Sequence, residues 1–173
     1  MTYNRINNLV GWLVFIIAAF VYVSTMEPTA SFWDCGEFIS TSYKLMVPHP
    51  PGAPIFLLVG RFFSLFASDP MHVAYCVNLV SALSSAFTVL FLFWSITMIG
   101  KKLAMNQDGF FTAGQIISVM GAGVVGSLAY TFSDSAWFSA VEAEVYAMSS
   151  FFTAIVFWAI LKWEAHSDED ASE

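Results

Sequence analysis

Two carboxylates three residues apart are the strongest candidates for chemistry in this sequence. Asp34 and Glu37 stand in the run Phe-Trp-Asp-Cys-Gly-Glu-Phe, which begins at Phe32. Helical spacing would place both on one face, where they can share a metal ion or divide the roles of acid and base. Because we expect this run at a bilayer surface, desolvation should raise both pKa values. The alternative interpretation is that both side chains form the solvated face of an interfacial helix.

A proline-rich loop adds a histidine to these candidates. His49 lies in the run Pro-His-Pro-Pro-Gly-Ala-Pro at 48–54, where the prolines restrict the backbone and Gly52 permits a positive φ. The loop can therefore hold His49 in a fixed place, and the imidazole could bind a phosphate, a metal ion or a proton. A purely structural histidine is the alternative.

A second acidic run, from Ser133 to Tyr146, contains Glu142 and Glu144. Ser139 and Glu142 fit the capping box that begins a helix, which is a structural explanation for Glu142. Glu144 has no such explanation. Tyr146 would lie one helical turn beyond Glu142 and face the bundle or the loop above it.

Arg61 stands in an otherwise apolar stretch, where an unpaired charge is costly. We therefore expect a partner for it, which could be an anionic lipid phosphate, Asp34 or Glu37. The alternative is an arginine that extends its charged head to the membrane edge.

The composition indicates that these residues belong to a membrane protein. Of the 173 residues, 58% are hydrophobic and 11% are charged, and the mean hydropathy is +0.69. Soluble domains average about 25% charged residues. Four apolar runs, about 9–26, 71–100, 112–132 and 147–163, are long enough to cross a hydrocarbon core of about 30 Å. The predicted fold class is therefore all-α, a polytopic transmembrane helical bundle.

Two outer loops, 27–70 and 133–146, separate the predicted spans. All six prolines of the chain lie in the first loop, so it cannot be a further span. Within it, Phe32–Met46 is predicted to be an amphipathic interfacial helix. Ile55–Ala67 is predicted to be an interfacial or re-entrant helix, because it is too short to cross the bilayer.

The positions of lysine and arginine predict the orientation of the bundle. With four spans, the loop cations of one side are Arg5, Lys101, Lys102 and Lys162. The positive-inside rule makes that side cytoplasmic, so both termini would be cytoplasmic and both outer loops would face the other compartment. The predicted domains are then a membrane-embedded unit at 1–163 and an acidic cytoplasmic tail or truncated loop at 164–173.

Two kinds of site are disfavoured by the residue counts. The chain has six lysines and arginines in total, so it lacks the basic patch that a nucleic-acid partner requires. Cys35 and Cys76 have neither the number nor the spacing of a zinc site or a disulfide framework. We expect ordinary buried thiols, with a disulfide between the two as the alternative.

At these residues the chain resembles a family of large polytopic membrane proteins of Bacteroidota that is related to protein O-mannosyltransferases. The resemblance rests on Pro28, Thr29 and Ala30 through Asp34, Gly36 and Glu37, on His49 to Gly52, and on Ala140 to Tyr146. The family is similar in plan to GT-C glycosyltransferases, which take a sugar from a polyprenyl-phosphate carrier and place an acidic catalytic residue in the first non-cytoplasmic loop. Family members extend well beyond this length, so the chain resembles their N-terminal part.

The resemblance implies a role for each candidate. Asp34 would be the general base that activates an acceptor Ser or Thr hydroxyl, and Glu37 would orient it or hold a divalent metal ion, if one is used. The residues that would bind the donor or line the site are His49, Arg61, Trp33, Lys44, Glu142, Glu144 and Tyr146. The implied partners are membrane lipid, a polyprenyl-phosphate sugar such as a mannose donor, and an acceptor protein on the periplasmic side of a bacterial inner membrane.

Two other classes of function fit the sequence less well. A transporter or channel would use intramembrane carboxylates to relay ions, but the acidic residues cluster in loops rather than at the bilayer midplane. A noncatalytic membrane subunit would pack against a larger complex through the small residues of the second and third spans.

Overall fold

A computed structural model of the protein describes residues 3–104 and 111–170, the side chains of 168–170 excepted. Within those ranges the regular elements are helical, in the order α1 (Tyr3–Thr25), α2 (Cys35–Lys44), α3 (Pro54–Ser64), a 3-10 turn (Pro70–His72), α4 (Val73–Ala104), α5 (Ala113–Thr131), α6 (Asp134–Ala140) and α7 (Val145–Asp170). The all-α class predicted from the sequence is confirmed.

Four of these helices are long and apolar enough to cross a membrane. The candidate spans are Tyr3–Thr25, Pro70–Ala104, Ala113–Thr131 and Val145–Ser167. Apolar helices of this length make the chain an integral membrane protein. Because α7 continues to Asp170, residues 164–170 of the predicted acidic tail extend this helix, and 171–173 lie outside the described residues.

α4 is the central helix of the bundle and packs against α1, α5 and α7. In its most apolar stretch 67% of the residues are buried, compared with 11% in α7. Glycine permits the close approach of α5, because a Cβ added at Gly123 would lie 2.7 Å from Thr97 Cγ2 and 2.8 Å from Phe93 Cε2. Small residues at such crossings let membrane helices pack at short distance.

α2 and α3, the two helices of the first outer loop, run parallel to each other. The rings of Phe38 and Phe56 lie 5.7 Å apart near the beginnings of the two helices, and Gly60 lies against Ser42 near their ends. The connecting segment 45–53 must therefore run back along α2 before α3 begins. Both helices predicted in this loop are present, with shorter bounds than the predicted 32–46 and 55–67. α3 exposes an apolar face formed by Ile55, Leu58 and Phe62.

The capping box predicted from Ser139 and Glu142 is wrong. Ser139 lies inside α6, which ends at Ala140, and α7 begins only at Val145. Glu142 therefore lies in the short non-helical segment between two helices and does not begin either of them.

Contacts with distant segments explain why residues 141–144, between α6 and α7, are not helical. The N–H of Glu27 donates to the carbonyl of Val141 at 2.8 Å. Ser81 Oγ of α4 donates to the carbonyl of Glu144 at 3.3 Å and accepts from its N–H at 3.2 Å. These bonds replace intrahelical ones. The bond from Glu27 joins the two outer loops, and the two bonds of Ser81 attach the second loop to α4.

The opposite end of the bundle carries the lysines. Lys102 Nζ lies 2.8 Å from Glu164 Oε2, which joins the end of α4 to α7. The ammonium of Lys101 lies 5.5 Å from the centre of the Tyr3 ring, at the beginning of α1. The end opposite the outer loops therefore carries Lys101 and Lys102, whereas the outer-loop end carries clustered carboxylates together with Lys44 and Arg61.

Candidate functional site

Asp34, Glu37 and His49 come together at the outer-loop end of the bundle. Asp34 occupies the N-cap position of α2, and Glu37 lies in its first turn. One potential ligand atom from each of the three side chains lies within 4.8 Å of the other two. The proximity of the two carboxylates follows from helical spacing, whereas the addition of His49 requires the return of the chain along α2.

Glu37 and His49 are joined by two contacts. The N–H of His49 donates to Glu37 Oε1 at 2.8 Å, and His49 Nδ1 lies 2.7 Å from Glu37 Oε2. The loop is closed by a turn in which Gly52, with φ of 78°, donates its N–H to the carbonyl of His49 at 3.0 Å. The loop thus holds His49 against α2, as the prolines and Gly52 predict.

The expected rise in the pKa of Glu37 is wrong. The hydrogen bonds from the His49 ring and from the His49 N–H lower the pKa of Glu37. The same contact with Glu37 raises the pKa of His49 above its ordinary value. Glu37 is only partly buried, so pairing with His49 outweighs the desolvation on which the expectation rested.

The raised pKa values belong instead to two buried glutamates, Glu142 and Glu144, whose residues are 3% and 9% exposed. Burial raises the pKa of Glu142, with a further contribution from the charges of Glu144 and Glu27. Burial also raises the pKa of Glu144, assisted by the charge of Asp34. Glu144 interacts electrostatically with both Asp34 and His49, and so belongs to the same site.

Glu142 is buried and bonded to the segment that carries Asp34. Ser31 Oγ donates a hydrogen bond to Glu142 Oε2, while Oε1 is buried without a hydrogen-bond partner among the described residues. Ser31 precedes Asp34 by three residues, so this bond holds the segment that carries Asp34. Ser31 is not among the candidates that the sequence indicates, because an isolated serine in a loop offers no signal for such a role.

Asn78 of α4 is a further residue that sequence reasoning missed. It is completely buried, and its side-chain amide donates to the carbonyls of Glu27 at 2.6 Å and Thr29 at 3.0 Å. Its Oδ1 accepts a hydrogen bond from the Cys35 thiol at 3.7 Å. A lone Asn within an apolar span was the available signal, because polar groups inside a membrane bundle require partners. Both cysteines are free.

A cavity of about 490 Å³ adjoins the carboxylates. Its lining residues are Asp134, Ser135, Phe138, Ser139, Glu144 and Tyr146. Glu144 lines this cavity and also interacts electrostatically with Asp34. Carboxylates and hydroxyls offer hydrogen bonds to a polyhydroxylated ligand, and the two aromatic rings offer apolar surface.

Arg61 and Lys44 lie away from the carboxylates. Arg61 Nη1 donates to the Tyr43 carbonyl at 2.6 Å, and its guanidinium lies 5.4 Å from the centre of the Tyr43 ring. Tyr43 is thus the partner of Arg61, in place of the predicted Asp34 or Glu37. Tyr43 follows Glu37 by six residues, which is roughly 9 Å along a helix at about 1.5 Å per residue.

Trp33 stands at the outer edge of the site. It is 86% exposed, and its φ of 61° places it in the left-handed region that non-glycine residues rarely adopt. Such strain persists where the surrounding structure imposes it. Here the strained residue directly precedes Asp34, the N-cap residue of α2.

Residues 34–173 match the family described as the protein O-mannosyl-transferase TMEM260 N-terminal domain. This chain belongs to that family. The matched range begins at Asp34 and contains the carboxylate and histidine site, the buried glutamates and the cavity. The resemblance to a family related to protein O-mannosyltransferases, predicted from the sequence, is confirmed.

Two curated relatives are similar to this chain. One is the protein O-mannosyl-transferase tmem260 of Dictyostelium discoideum, which is 26% identical over 145 residues, or 83% of this chain and 16% of the relative. The other is the protein O-mannosyl-transferase TMEM260 of Mus musculus, which is 29% identical over 152 residues, or 87% of this chain and 19% of the relative. The chain thus spans less than a fifth of the length of these relatives. No solved structure matches it.

Proposed function

We propose that this chain supplies the acidic part of the active site of a membrane glycosyltransferase. In this proposal the enzyme transfers a sugar such as mannose from a polyprenyl-phosphate carrier to a Ser or Thr hydroxyl of an acceptor protein. The single observation that carries the proposal is the convergence of Asp34, Glu37 and His49 at the start of α2, inside the range shared with the family. The names of the relatives support the choice of reaction.

Asp34 is the general base in this mechanism. Its side chain does not cap α2 and is exposed, so its carboxylate is available to a substrate. It takes the proton of the acceptor hydroxyl while the hydroxyl oxygen attacks the anomeric carbon of the sugar, and the carrier phosphate departs. Glu37 is less suited to this step because both its oxygens contact His49.

His49 faces the other reactant, the carrier phosphate. The contact with Glu37 favours the protonated imidazole, since it raises the pKa of His49. A cation here stabilises the negative charge that develops on the departing phosphate. Lys44 lies at the end of α2 and Arg61 in the last turn of α3, beside Tyr43, where their charges attract the phosphate of the carrier or of membrane lipid.

The cavity beside Glu144 receives the sugar in this scheme. Tyr146 and Phe138 present aromatic surface, while Asp134 and Ser139 present oxygen atoms for sugar hydroxyls. Glu144 lines the cavity and interacts electrostatically with Asp34, so it takes part in both. The positive-inside rule places this end of the bundle on the non-cytoplasmic side, which is the periplasm in a bacterial inner membrane.

The position of the carboxylates supports transfer over ion transport. Asp34, Glu37 and Glu144 lie at the outer-loop end of the bundle, whereas transporter sites usually lie near the bilayer midplane. A noncatalytic subunit would not require a rigid loop that holds a histidine beside two carboxylates. Both alternatives predict that substitution of Asp34 leaves sugar transfer unchanged.

The decisive experiment is Asp34→Asn in the complete gene that encodes this sequence, expressed in membranes supplied with polyprenyl-phosphate mannose and a Ser/Thr peptide. We expect a loss of hexose transfer of at least a hundredfold, measured by mass spectrometry, because general base catalysis contributes about 10² to 10⁴ in rate. The control is Asp69→Asn, since Asp69 is an exposed aspartate that pairs with His72 outside the site. Undiminished transfer by the Asp34 variant would exclude Asp34 as the base.

A further inference from the structure

We propose that Asp34, Glu37 and His49 bind one divalent transition-metal ion. Metal binding can be tested without any assumption about activity. A bound ion would replace the proton on the His49 nitrogen that faces Glu37, and would supply the positive charge that the protonated imidazole supplies in the function proposed above. Asp34 would bind through one carboxylate oxygen and keep the other for the acceptor hydroxyl; this use of the ion in sugar transfer rests on the proposed function. Among the described residues, these three form the one group of at least three His, Cys, Asp and Glu side chains whose potential ligand atoms all lie within 4.8 Å of one another.

The types of the ligands indicate the kind of ion. Two carboxylates and one imidazole form a mixed oxygen and nitrogen set, which suits Zn²⁺ and Mn²⁺ better than Mg²⁺ or Ca²⁺. Mg²⁺ and Ca²⁺ prefer oxygen ligands alone. Three protein ligands also leave at least one coordination position open, as in catalytic rather than structural zinc sites.

The distances allow the three side chains to close on an ion. Ligand atoms about 2.1 Å from a tetrahedral ion lie about 3.4 Å apart, and the present atoms lie within 4.8 Å of one another. Asp34 is exposed and does not cap α2, so its side chain can move by the remaining distance. Glu37 and His49 are hydrogen-bonded at 2.7 Å, so an ion that replaces the proton between them requires the two atoms to move apart by less than about 1 Å.

The charges around the three residues favour a cation. Glu144 is nine-tenths buried and interacts electrostatically with Asp34 and His49. Glu142 is also buried and interacts electrostatically with Glu144, and one of its carboxylate oxygens has no hydrogen-bond partner among the described residues. In this cluster His49 interacts electrostatically with three carboxylates, those of Glu37, Asp34 and Glu144. A divalent ion would offset this excess of negative charge.

The backbone holds the ligands before any ion binds. His49 is fixed through its own N–H to Glu37 and through the turn closed by Gly52. Asp34 and Glu37 are fixed by the first turn of α2. Because the ligand-bearing segments are ordered in advance, binding an ion costs little conformational entropy.

The test is isothermal titration of the purified chain in detergent with Zn²⁺ and with Mn²⁺. We expect one ion per chain, with Zn²⁺ bound more tightly than Mn²⁺, and affinity reduced at least tenfold by His49→Ala and by Glu37→Gln. Both residues are partly exposed, so these variants should fold, and an unchanged melting temperature without metal verifies this. Absence of saturable binding by the unaltered chain would overturn the inference.

The matched control is His72→Ala. His72 also pairs with a carboxylate, since its Nδ1 lies 3.0 Å from Asp69 Oδ2 on the surface, but it has no third ligand nearby in the described part of the chain. We expect unchanged binding by this variant. Equal affinity in the His49 and unaltered proteins, or loss only in the His72 variant, would mean that the ion binds elsewhere and would reject the site.

The metal site and the proposed function can fail separately. Saturable binding that depends on His49, together with full transfer by the Asp34→Asn enzyme, would support the metal site and reject Asp34 as the base. Transfer that needs Asp34 but survives chelation by EDTA, with no binding detected, would support the function and reject the metal site.

Discussion

At the scale of single residues, four carboxylates of the two outer loops differ in burial and in pairing. Glu37 is partly exposed and paired with His49, which lowers its pKa. Glu142 and Glu144 are buried, which raises their pKa values. Asp34 is exposed beside them. Residues with pKa values driven apart in one small region are typical of sites that handle protons.

The raised pKa of Glu142 predicts a pH dependence of stability. A carboxyl group with a higher pKa in the folded state binds more protons when folded, so stability falls as the pH rises from the ordinary value of 4.5 through the raised value. We expect the melting temperature of the chain in detergent to decrease across this range. In Glu142→Gln the decrease should be smaller, since the amide does not ionise.

A control separates this effect from the general loss of a carboxylate. Glu164→Gln removes an exposed carboxylate that pairs with Lys102 at the other end of the bundle. This variant should retain the pH dependence of the unaltered chain. If Glu142→Gln and Glu164→Gln melt with the same pH profile, Glu142 is not the group that titrates.

At the scale of elements, α4 organises the site although it carries none of the proposed ligands or the base. Asn78 binds the segment before α2, and Ser81 binds the segment before α7. These two residues lie three positions apart, so they occupy the same face of α4. One face of a central span thus holds both outer loops and brings Asp34 near Glu144.

Asn78→Ala should therefore weaken both the fold and the site. It removes two hydrogen bonds that the completely buried Asn78 side chain donates to the carbonyls of Glu27 and Thr29, and loss of a buried hydrogen-bond partner costs about 1–3 kcal/mol. We expect a loss of at least about 2 kcal/mol in the free energy of unfolding, measured by denaturant titration in mixed micelles.

Ser95→Ala is the matched control for this loss. Ser95 is also a buried polar residue of α4, but its hydroxyl donates to the backbone carbonyl of Phe91 in the same helix at 2.8 Å. Its removal leaves no polar group of another segment without a partner. The loss in the free energy of unfolding should therefore be clearly smaller than that of Asn78→Ala. Equal losses would contradict a role for Asn78 in joining loop and helix.

At the scale of the whole molecule, the two ends of the bundle carry different groups. One end carries the carboxylates, His49 and the cavity. The other carries the Lys102–Glu164 pair and Lys101. This separation agrees with the distribution of lysine on which the predicted orientation depends.

Cysteine labelling tests the orientation. In a chain with Cys76→Ala, where Cys35 is buried, single cysteines replace Val47 or Leu103, which are 90% and 84% exposed. We expect Val47→Cys to react with a membrane-impermeant maleimide in intact cells. Leu103→Cys should react only after permeabilisation. The reverse pattern would place the site on the cytoplasmic side, and labelling of both from one side would contradict the four-span bundle.

Much of the fold follows from the sequence because hydropathy and segment length are local properties. The four spans, the two short helices at 35–44 and 54–64, and the spacing of Asp34 and Glu37 could all be predicted. The rigid loop around His49 could be predicted too, since prolines and Gly52 act on their own backbone.

Only the tertiary structure decided which charged groups meet. The contact of Glu37 with His49, and the bond from Ser31 to Glu142 across 111 positions, depend on how distant segments pack. The same packing determined the pKa of each carboxylate and the break in helix at 141–144, because burial and partners are properties of the folded environment. The sequence by itself therefore determined a membrane bundle with an acidic loop, and the fold determined which carboxylates are paired, buried or available.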